Sequence, residues 1–291
     1  MTPVPVELED RLGEEAAARR RLGARPGPEQ LPPTQETVGA VVVTFNDAPH
    51  IAPVLRELTG QVAAVVVADL GSKDRTRETV TARFPSVRVV EVPLAAGFGA
   101  AANEGARLLG APLLLLQHGD ARLRAGALDQ LYETISDSHR HVGCCGPRLV
   151  APDGAVELSA GFRPTRPWRW RAAWTQLVPR PRVLRPRRKP KRVAYLAPSA
   201  RTDVDWVSGA AMLVRREAFA QVGGMDEGYF LLYGDVDLCM RLRGAGWTVT
   251  YEPRARAIHL DRVAENVRSQ WAARRRFDRR YGLVGRLLRR S

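Results

Sequence analysis

Four aspartates stand where a carboxylate can do chemistry. Asp69 and Asp120 each follow a short apolar run, and Asp235 and Asp237 lie in Tyr-Gly-Asp-Val-Asp-Leu, residues 233–238. At the end of a strand, Asp69 can accept hydrogen bonds from a nucleobase or a ribose hydroxyl. Asp120 is suited to holding Mg²⁺ or Mn²⁺ against a diphosphate, and His118 can face the same site. The pair at 235 and 237 offers a general base for a substrate hydroxyl.

Each of these residues also has a purely structural interpretation. Asp69 can cap a turn, Asp120 can be a solvated loop residue, and the 235/237 pair suits a helix N-terminus because of the helix dipole. Gly97-Phe98-Gly99 lacks the spacing of a dinucleotide-binding loop and is typical of a tight turn. Taken singly, the motifs leave both interpretations open.

The surrounding pattern predicts how these residues are positioned. Apolar runs at 38–45, 62–68, 87–92 and 112–117 predict strands, and helical spacing at 48–58, 74–84 and 98–109 predicts helices between them. Continuously apolar strands that alternate with helices indicate a mostly parallel sheet with helices on both faces. Ligands bind such sheets beyond the carboxyl ends of the strands, where Thr44, Asn46, Asp69 and Asp120 fall.

Three segments differ from this α/β pattern. Residues 1–35 are predicted to form a flexible N-terminal arm. Residues 36–261 are predicted to form one α/β domain, with a basic Pro/Arg-rich insertion at 163–203. Residues 262–291 are predicted to form a basic amphipathic tail. Within the second half of the domain we expect a strand at 210–214, helices at 216–222 and 235–244, and a strand at 248–252. A helix is expected at 266–290 of the tail.

The positive charge is concentrated in two of these segments. The net charge is +14, yet residues 163–192 contain twelve Lys and Arg and no acid, and residues 262–291 contain ten Arg against two acids. The rest of the chain is therefore mildly acidic. This distribution favours basic docking segments on a domain over a wholly basic nucleic-acid binder.

The tail invites two interpretations that the sequence does not separate. Phe277, Tyr281, Val284 and Leu288 recur at helical spacing among arginines, which suits contact with an anionic membrane. The same stripe suits a terminal helix packed on the domain. No run of about 18 apolar residues predicts a membrane span. The absence of a signal-peptide pattern and of paired cysteines predicts a cytoplasmic location. With the membrane interpretation of the tail, that location would be at the inner face of the plasma membrane.

The order of the motifs resembles that of inverting family-2 glycosyltransferases with the GT-A fold, in particular rhamnosyltransferase-like enzymes. The similarity covers roughly residues 38–162 and 203–260. Five blocks carry it: Val-Val-Val-Thr-Phe-Asn (41–46), Val-Val-Ala-Asp-Leu-Gly-Ser-Lys-Asp (66–74), Gly-Phe-Gly-Ala-Ala-Ala-Asn-Glu-Gly (97–105), Leu-Leu-Gln-His-Gly-Asp-Ala (115–121) and the stretch 206–259.

The resemblance implies a Rossmann-like GT-A fold and a role for each matched residue. Asp235 would be the catalytic base, and Asp120 would bind the divalent metal, Mg²⁺ or Mn²⁺, and the diphosphate. The nucleotide-sugar pocket would be formed by Thr44, Asn46, Asp69, Gly97 and Asn103, with His118 beside Asp120. The acceptor side would be formed by Trp206, Ser208, Asp226, Glu227 and His259. The implied partners are a nucleoside diphosphate sugar, with rhamnose or another deoxyhexose, and a glycan or lipid-linked acceptor.

Three departures from the family pattern motivate an alternative. Leu70 replaces an Asn, His118 and Gly119 replace the usual residues before Asp120, and Gly234 replaces a Glu. A catalytically degenerate scaffold, which binds nucleotide, glycan or a partner through its basic segments, would tolerate these changes. Nucleic-acid binding through the basic segments is the weaker third hypothesis. Because Asp120 and Asp235, the expected metal-binding residue and the expected base, are both retained, the sequence favours an enzyme.

Overall fold

The computed structural model describes residues 34–162, 198–260 and 275–281. The chain divides into two compact units, and every described residue lies in the second, Pro32–Ser291. The predicted arm, most of the predicted insertion and most of the predicted tail lie outside the described residues. Within the described part, no helix has the length and apolar character that crossing a bilayer requires.

The described elements alternate between strands and helices through the first half of the domain. The helices are α1 Thr34–Thr37, α2 Ile51–Leu58, α3 Thr76–Arg83, α4 Gly97–Arg107, α5 Ala127–Ile135, α6 Arg216–Gln221, α7 Gly234–Gly244 and α8, residues 275–281. The strands are β1 Val38–Thr44, β2 Ala64–Asp69, β3 Arg88–Glu91, β4 Leu113–His118, β5 Ala121–Leu123, β6 Val142–Val150, β7 Ala160–Gly161, β8 Thr202–Asp203, β9 Trp206–Val207, β10 Ala211–Arg215 and β11 Thr248–His259.

One mostly parallel sheet organises the domain, in the order β3-β2-β1-β4-β10-β6-β11-β5, with β8 paired to β11. Strands β3, β2, β1 and β4 are parallel, and β10 is antiparallel to both β4 and β6. Because β10 runs backwards, its first residues lie at the same edge of the sheet as the last residues of β1 and β4. A separate two-stranded sheet joins β7 to β9.

The central strands form because their side chains are apolar on both faces. Every residue of β1 is buried, and so are the four leucines of β4. One face of the sheet packs against α2 and α5, and the other packs against α4, α6 and α7. Two apolar layers around one sheet confirm the predicted fold with helices on both faces.

Most of the predicted elements match the structure to within a few residues, but one predicted strand is too short and several observed elements were not predicted. The strand expected at 248–252 is too short, because β11 continues past a register irregularity between Glu252 and Arg256 as far as His259. Strands β5 and β6 and helix α5 have no predicted counterpart. Only residues 275–281 of the predicted tail helix are described, and they are helical.

Candidate functional site

The carboxyl ends of β1 and β2 are joined by hydrogen bonds between the loops that follow them. Asn46, in a left-handed conformation with φ 57°, donates its backbone N–H to the Ser72 hydroxyl at 2.8 Å. Its side-chain oxygen accepts a hydrogen bond from the backbone N–H of Lys73 at 2.8 Å. Thr44 and Asp69 are directly opposite each other in the β1–β2 ladder. The predicted nucleotide residues of these two strands therefore lie at one edge of the sheet.

Asp69 is completely buried and hydrogen-bonded within its own turn. Its carboxylate accepts hydrogen bonds from the backbone N–H of Ser72 at 2.9 Å and from the Ser72 hydroxyl. Arg77 lies 3.7 Å from the same carboxylate and also pairs with Glu91. This is the turn-capping geometry that the sequence left open, and it leaves the Asp69 side chain with no exposed surface.

Asp47 was not singled out from the sequence, yet it lies beside Asp120. Its carboxylate accepts hydrogen bonds from the Thr44 hydroxyl at 2.7 Å and from the backbone N–H of Phe45 at 3.0 Å. Burial raises the pKa of Asp47 above its ordinary value, and the nearby charge of Asp120 adds to this against the lowering effect of the two hydrogen bonds. A side chain at Gly119 would overlap Asp47 and Thr44, which explains the glycine between His118 and Asp120.

Two histidines flank Asp120 where β4 and β11 end. The buried carboxylate of Asp120 lies 3.8 Å from Nδ1 of His118 and 3.5 Å from Nε2 of His259. One ligand atom from each of the three residues lies within 4.8 Å of the others. The imidazole rings of the two histidines have centroids 5.8 Å apart. This spacing would allow the three side chains to bind one cation.

The donor set of this cluster fits a transition-metal ion better than Mg²⁺. Two imidazoles and one carboxylate offer nitrogen ligands, whereas Mg²⁺ prefers oxygen. Burial lowers the pKa of His118 to about 4, so its ring is neutral at neutral pH, as metal binding requires. The residues present therefore fit a divalent metal ion.

His259 is held by a second carboxylate on its far side. Nδ1 of His259 is 3.1 Å from Oε2 of Glu157, a buried side chain in the segment between β6 and β7. Burial disfavours the imidazolium form, but hydrogen bonds and charge from Asp120 and Glu157 outweigh it and raise the pKa of His259. Glu157 therefore orients the His259 ring so that Nε2 faces Asp120. No sequence motif marks Glu157, which is 102 residues away along the chain.

Asp235 is the second residue of α7. Its Oδ2 accepts a hydrogen bond from the backbone N–H of Gly209 at 2.8 Å, and its Oδ1 accepts one from the backbone N–H of Val236 at 2.8 Å. Burial raises the pKa of Asp235 above its ordinary value, against the lowering effect of these hydrogen bonds. A carboxylate with a raised pKa and with lone pairs still open is suited to accept a proton.

Phe98 and the 209–210 segment connect Asp235 to the histidine cluster. The Phe98 ring packs edge-on against His118, with centroids 4.9 Å apart. A Cβ placed on Gly209 would lie 3.5 Å from Phe98 and 3.6 Å from Oδ2 of Asp235. The backbone N–H of His118 also donates to the carbonyl of Ala210 at 3.1 Å. Phe98 and the 209–210 segment together thus contact both Asp235 and the histidine cluster, although Asp120 and Asp235 are 115 positions apart in the sequence.

Gly97 and Asn103 have structural contacts that the sequence did not indicate. Gly97 has φ 76°, and the next residue donates its N–H to the Phe230 carbonyl at 2.8 Å. Asn103 uses its whole amide: Oδ1 accepts from the N–H of Met225, and Nδ2 donates to the Met225 carbonyl and to Glu227. Both residues thus join α4 to the loop 223–233.

The four predicted acceptor-side residues before His259 divide into two groups. Ser208 and Trp206 lie next to Gly209, where the Ser208 N–H donates to the Ser159 carbonyl and the Trp206 ring covers Gly161. Asp226 and Glu227 lie in the loop 223–233, where Asn103 binds Glu227 and arginines of α8 bind Asp226. The first group adjoins the site, and the carboxylates of the second are engaged by the protein itself.

Replacing Gly97 by alanine is expected to lower the free energy of unfolding by about 3 kcal/mol, from backbone strain and overpacking together. The added Cβ would overlap the backbone carbonyl of Phe230, which cannot move as a flexible side chain can. Urea denaturation measures the loss. Gly110→Ala is the matched control, because a Cβ there meets nothing within 4 Å. Equal stability of the two variants would contradict the proposed contact.

A family model described as "Glycosyltransferase like family 2" matches residues 33–282 of this chain. The chain belongs to glycosyltransferase family 2. A 33% identical relative, the N-acetylglucosaminyl-diphospho-decaprenol L-rhamnosyltransferase of Mycobacterium tuberculosis, aligns over 248 residues, which cover 77% of this chain and 76% of the relative. Rhamnosyltransferase WbbL of Escherichia coli is 50% identical over 58 residues, 20% of this chain and 22% of its own.

Solved structures support the fold of this glycosyltransferase. GalNAc-T7 with UDP, GalNAc and Mn²⁺ superposes with a TM-score of 0.55 at 16% identity, over 78% of this chain and 44% of that one. The mannosyltransferase PcManGT of Pyrobaculum calidifontis, with GDP-Man and Mn²⁺, gives 0.52 at 20% identity, over 87% and 65%. The chain therefore spans less than two thirds of either structure. The GT-A fold predicted from the sequence is confirmed, and the protein is a nucleotide-sugar-dependent glycosyltransferase.

Proposed function

We propose that this glycosyltransferase transfers rhamnose or another deoxyhexose from a nucleoside diphosphate donor to a lipid-linked or polymeric cell-surface glycan, with inversion. The meeting of the Asp120 cluster and Asp235 at Phe98 and Gly209 is the observation that carries the assignment. The name of the 33% identical mycobacterial relative supports both the sugar and a diphospho-lipid acceptor.

The proposed site separates the two ends of the reaction. Asp120, His118 and His259 would hold Mn²⁺, and the ion would supply positive charge against the leaving diphosphate. Asp235 would take the proton of the acceptor hydroxyl while the acceptor oxygen bonds to the anomeric carbon of the sugar. The bond between that carbon and the diphosphate breaks on the opposite face. Attack and departure on opposite faces give inversion.

The donor would lie across the ends of β1, β2 and β4. Thr44 and Asn46 lie at this edge, and Asp47 lies between Thr44 and Gly119. The Asp69 carboxylate accepts a hydrogen bond from Ser72 and lies beside Arg77. We therefore propose that Asp69 shapes the nucleotide pocket by holding this turn. Ser208 and Trp206 adjoin Gly209, so they are the proposed neighbours of the acceptor.

The structural surroundings favour an enzyme over a degenerate scaffold. Gly119 admits Asp47 and Thr44 next to Asp120, and His118 contributes a ring nitrogen where the family has another residue. One of the three departures from the family pattern, the replacement at His118 and Gly119, thus forms part of the cluster. Contact with the membrane that holds the acceptor remains a proposal resting on the basic segments, which lie mostly outside the described residues.

The proposed function is tested by supplying the full-length protein with thymidine diphosphate rhamnose, Mn²⁺ and N-acetylglucosaminyl-diphospho-decaprenol. Mass spectrometry should find the acceptor heavier by one deoxyhexose, and a uridine diphosphate sugar tests the nucleotide. Calorimetric donor binding without product, over several lipid-linked and polymeric acceptors, would support the scaffold instead.

Replacing Glu157 by glutamine is expected to weaken Mn²⁺ binding about 10- to 100-fold, the usual cost of losing a carboxylate that orients a metal-binding histidine. The amide can still occupy the space but no longer holds the His259 ring as a charged acceptor. Titration calorimetry with Mn²⁺ measures the change. Glu217→Gln, an exposed glutamate of α6, is the matched control. Unchanged Mn²⁺ affinity in Glu157→Gln would contradict the orienting role.

A further inference from the structure

Helix α8 binds the loop 223–233 through two arginines that share one carboxylate. Nη2 of Arg276 lies 2.8 and 3.0 Å from the two oxygens of Asp226, and Nη1 of Arg280 lies 2.8 Å from Oδ2. The backbone N–H of Gly228 donates to the same side chain at 2.9 Å. Asp226, predicted to line the acceptor side, anchors α8.

A second carboxylate, on α7, completes the attachment. Asp237 is fully buried and accepts a hydrogen bond from the Tyr281 hydroxyl at 2.8 Å and from Nε of Arg241 at 2.7 Å. Arg280 is 3.2 Å from Asp237 as well, so its guanidinium bridges Asp237 and Asp226. Helix α8 therefore ties the loop to the first turn of α7.

Aromatic contacts run along the same interface. The Phe277 ring lies 5.2 Å from Tyr233 and 4.8 Å from Tyr281, measured between centroids. The Arg276 guanidinium lies over the Tyr229 ring at 5.4 Å. The Phe277 and Tyr281 side chains thus face the domain, as the packed-helix interpretation of the tail expects. Val284 and Leu288, the rest of the predicted stripe, lie outside the described residues.

The contacts of α8 fall on both sides of Asp235. Tyr233, two residues before it, is in a left-handed conformation with φ 68° and touches Phe277. Asp237, two residues after it, is bound by Tyr281 and donates its backbone N–H to the Tyr233 carbonyl at 2.8 Å. The backbone that carries Asp235 is therefore held at two points by one helix.

We propose that α8 is a clamp that positions Asp235 for proton transfer, with Arg280 and Tyr281 as positioning residues. The inference rests on the proposed role of Asp235 as base. A displacement of about 1 Å in a reacting group can lower turnover by about 10²-fold. A clamp on both flanks of Asp235 would prevent such a displacement. In this proposal the basic tail contributes to catalysis by positioning Asp235, in addition to any contact it makes with a membrane or partner.

The test compares Tyr281→Phe, which removes one hydroxyl, with Arg280→Gln and with Arg279→Gln, an exposed arginine on the same helix. We expect kcat for transfer from thymidine diphosphate rhamnose to fall about tenfold in Tyr281→Phe and more in Arg280→Gln, as misplacement of the base predicts. Binding of thymidine diphosphate, measured by calorimetry, should stay within about twofold, and Arg279→Gln should match the parent. Tyr281→Phe alone decides the result should Arg280→Gln fail to fold.

A double-variant cycle separates positioning from general stabilisation. If α8 acts through Asp235, adding Tyr281→Phe to Asp235→Asn should cause no further loss of kcat. Independent losses that multiply, or an unchanged kcat in Tyr281→Phe, would overturn the clamp while leaving the proposed base intact. A fully active Asp235→Asn would instead overturn the base, and the clamp with it.

Discussion

Replacing Asp235 by asparagine is expected to lower kcat by about 10²- to 10⁴-fold, the range that general-base catalysis contributes. The amide cannot accept the proton of the acceptor hydroxyl. It can still accept one of the two backbone hydrogen bonds from Gly209 and Val236, so the fold should lose only about 1 kcal/mol. Steady-state transfer assays measure the first effect, and urea denaturation measures the second.

The pH dependence gives this prediction a second measurement. Asp235 acts in its ionised form, so kcat/KM should fall as the pH drops through its pKa. Because burial raises that pKa, the acidic limb should lie above the range of an ordinary aspartate. The limb should be absent from the residual activity of Asp235→Asn.

A matched control isolates the chemistry from the loss of one negative charge. Asp129→Asn makes the same substitution at an exposed position in the first turn of α5, and it should keep full activity. Asp235→Asn with the kcat of Asp129→Asn would exclude Asp235 as the base, whatever its contacts with Gly209.

The sheet and its functional edge were predictable because they depend on local sequence. Strand β1 contains three consecutive valines and β4 begins with four leucines, as is typical of strands buried on both faces, and parallel strands bring their carboxyl ends together. This suffices to collect Thr44, Asn46, Asp69 and Asp120 at one edge. The order of motifs then supplied Asp235, which no local pattern connects to Asp120.

Strand β6 was missed because its sequence is not that of an ordinary strand. Residues 142–150 contain two glycines and a proline. Gly143 leaves room for the Trp247 ring, and Gly146 leaves room for Val207. The glycines are therefore required by side chains that come from distant segments of the chain. These glycine–side-chain contacts exist only in the folded chain and leave no periodic pattern in the sequence.

Motif matching also did not show which contacts each residue makes. Asn103 and Asp226 lie in two of the matching blocks, yet their polar atoms bind the loop 223–233 and helix α8. Glu157 shows the opposite case, since it contacts His259 without belonging to any motif. A motif reports where side chains are constrained, and only contacts show whether the constraint is chemical or structural.

Replacing Asp120 by alanine is expected to lower kcat/KM by about 10³-fold, which corresponds to about 4 kcal/mol of transition-state stabilisation. The carboxylate lies between two histidine rings, 3.5 Å from His259 and 3.8 Å from His118, and supplies the negative charge of the set. Without it, two neutral imidazoles must hold the cation alone. Transfer and donor hydrolysis assays over a range of Mn²⁺ concentrations measure the loss.

The Mn²⁺ series also tells the role of Asp120 apart from that of Asp235. High Mn²⁺ should restore part of the activity of Asp120→Asn, whose amide oxygen remains a weak ligand, and none of the activity of Asp235→Asn. Calorimetry should find that Mn²⁺ binds Asp235→Asn as tightly as the parent and Asp120→Ala far more weakly. Equal Mn²⁺ affinity in Asp120→Ala and the parent would place the cation elsewhere. The proposed role of Asp120 would then be wrong, because charge neutralisation at the diphosphate would no longer depend on the cluster at the ends of β4 and β11. The proposed role of Asp235 as base would be unaffected.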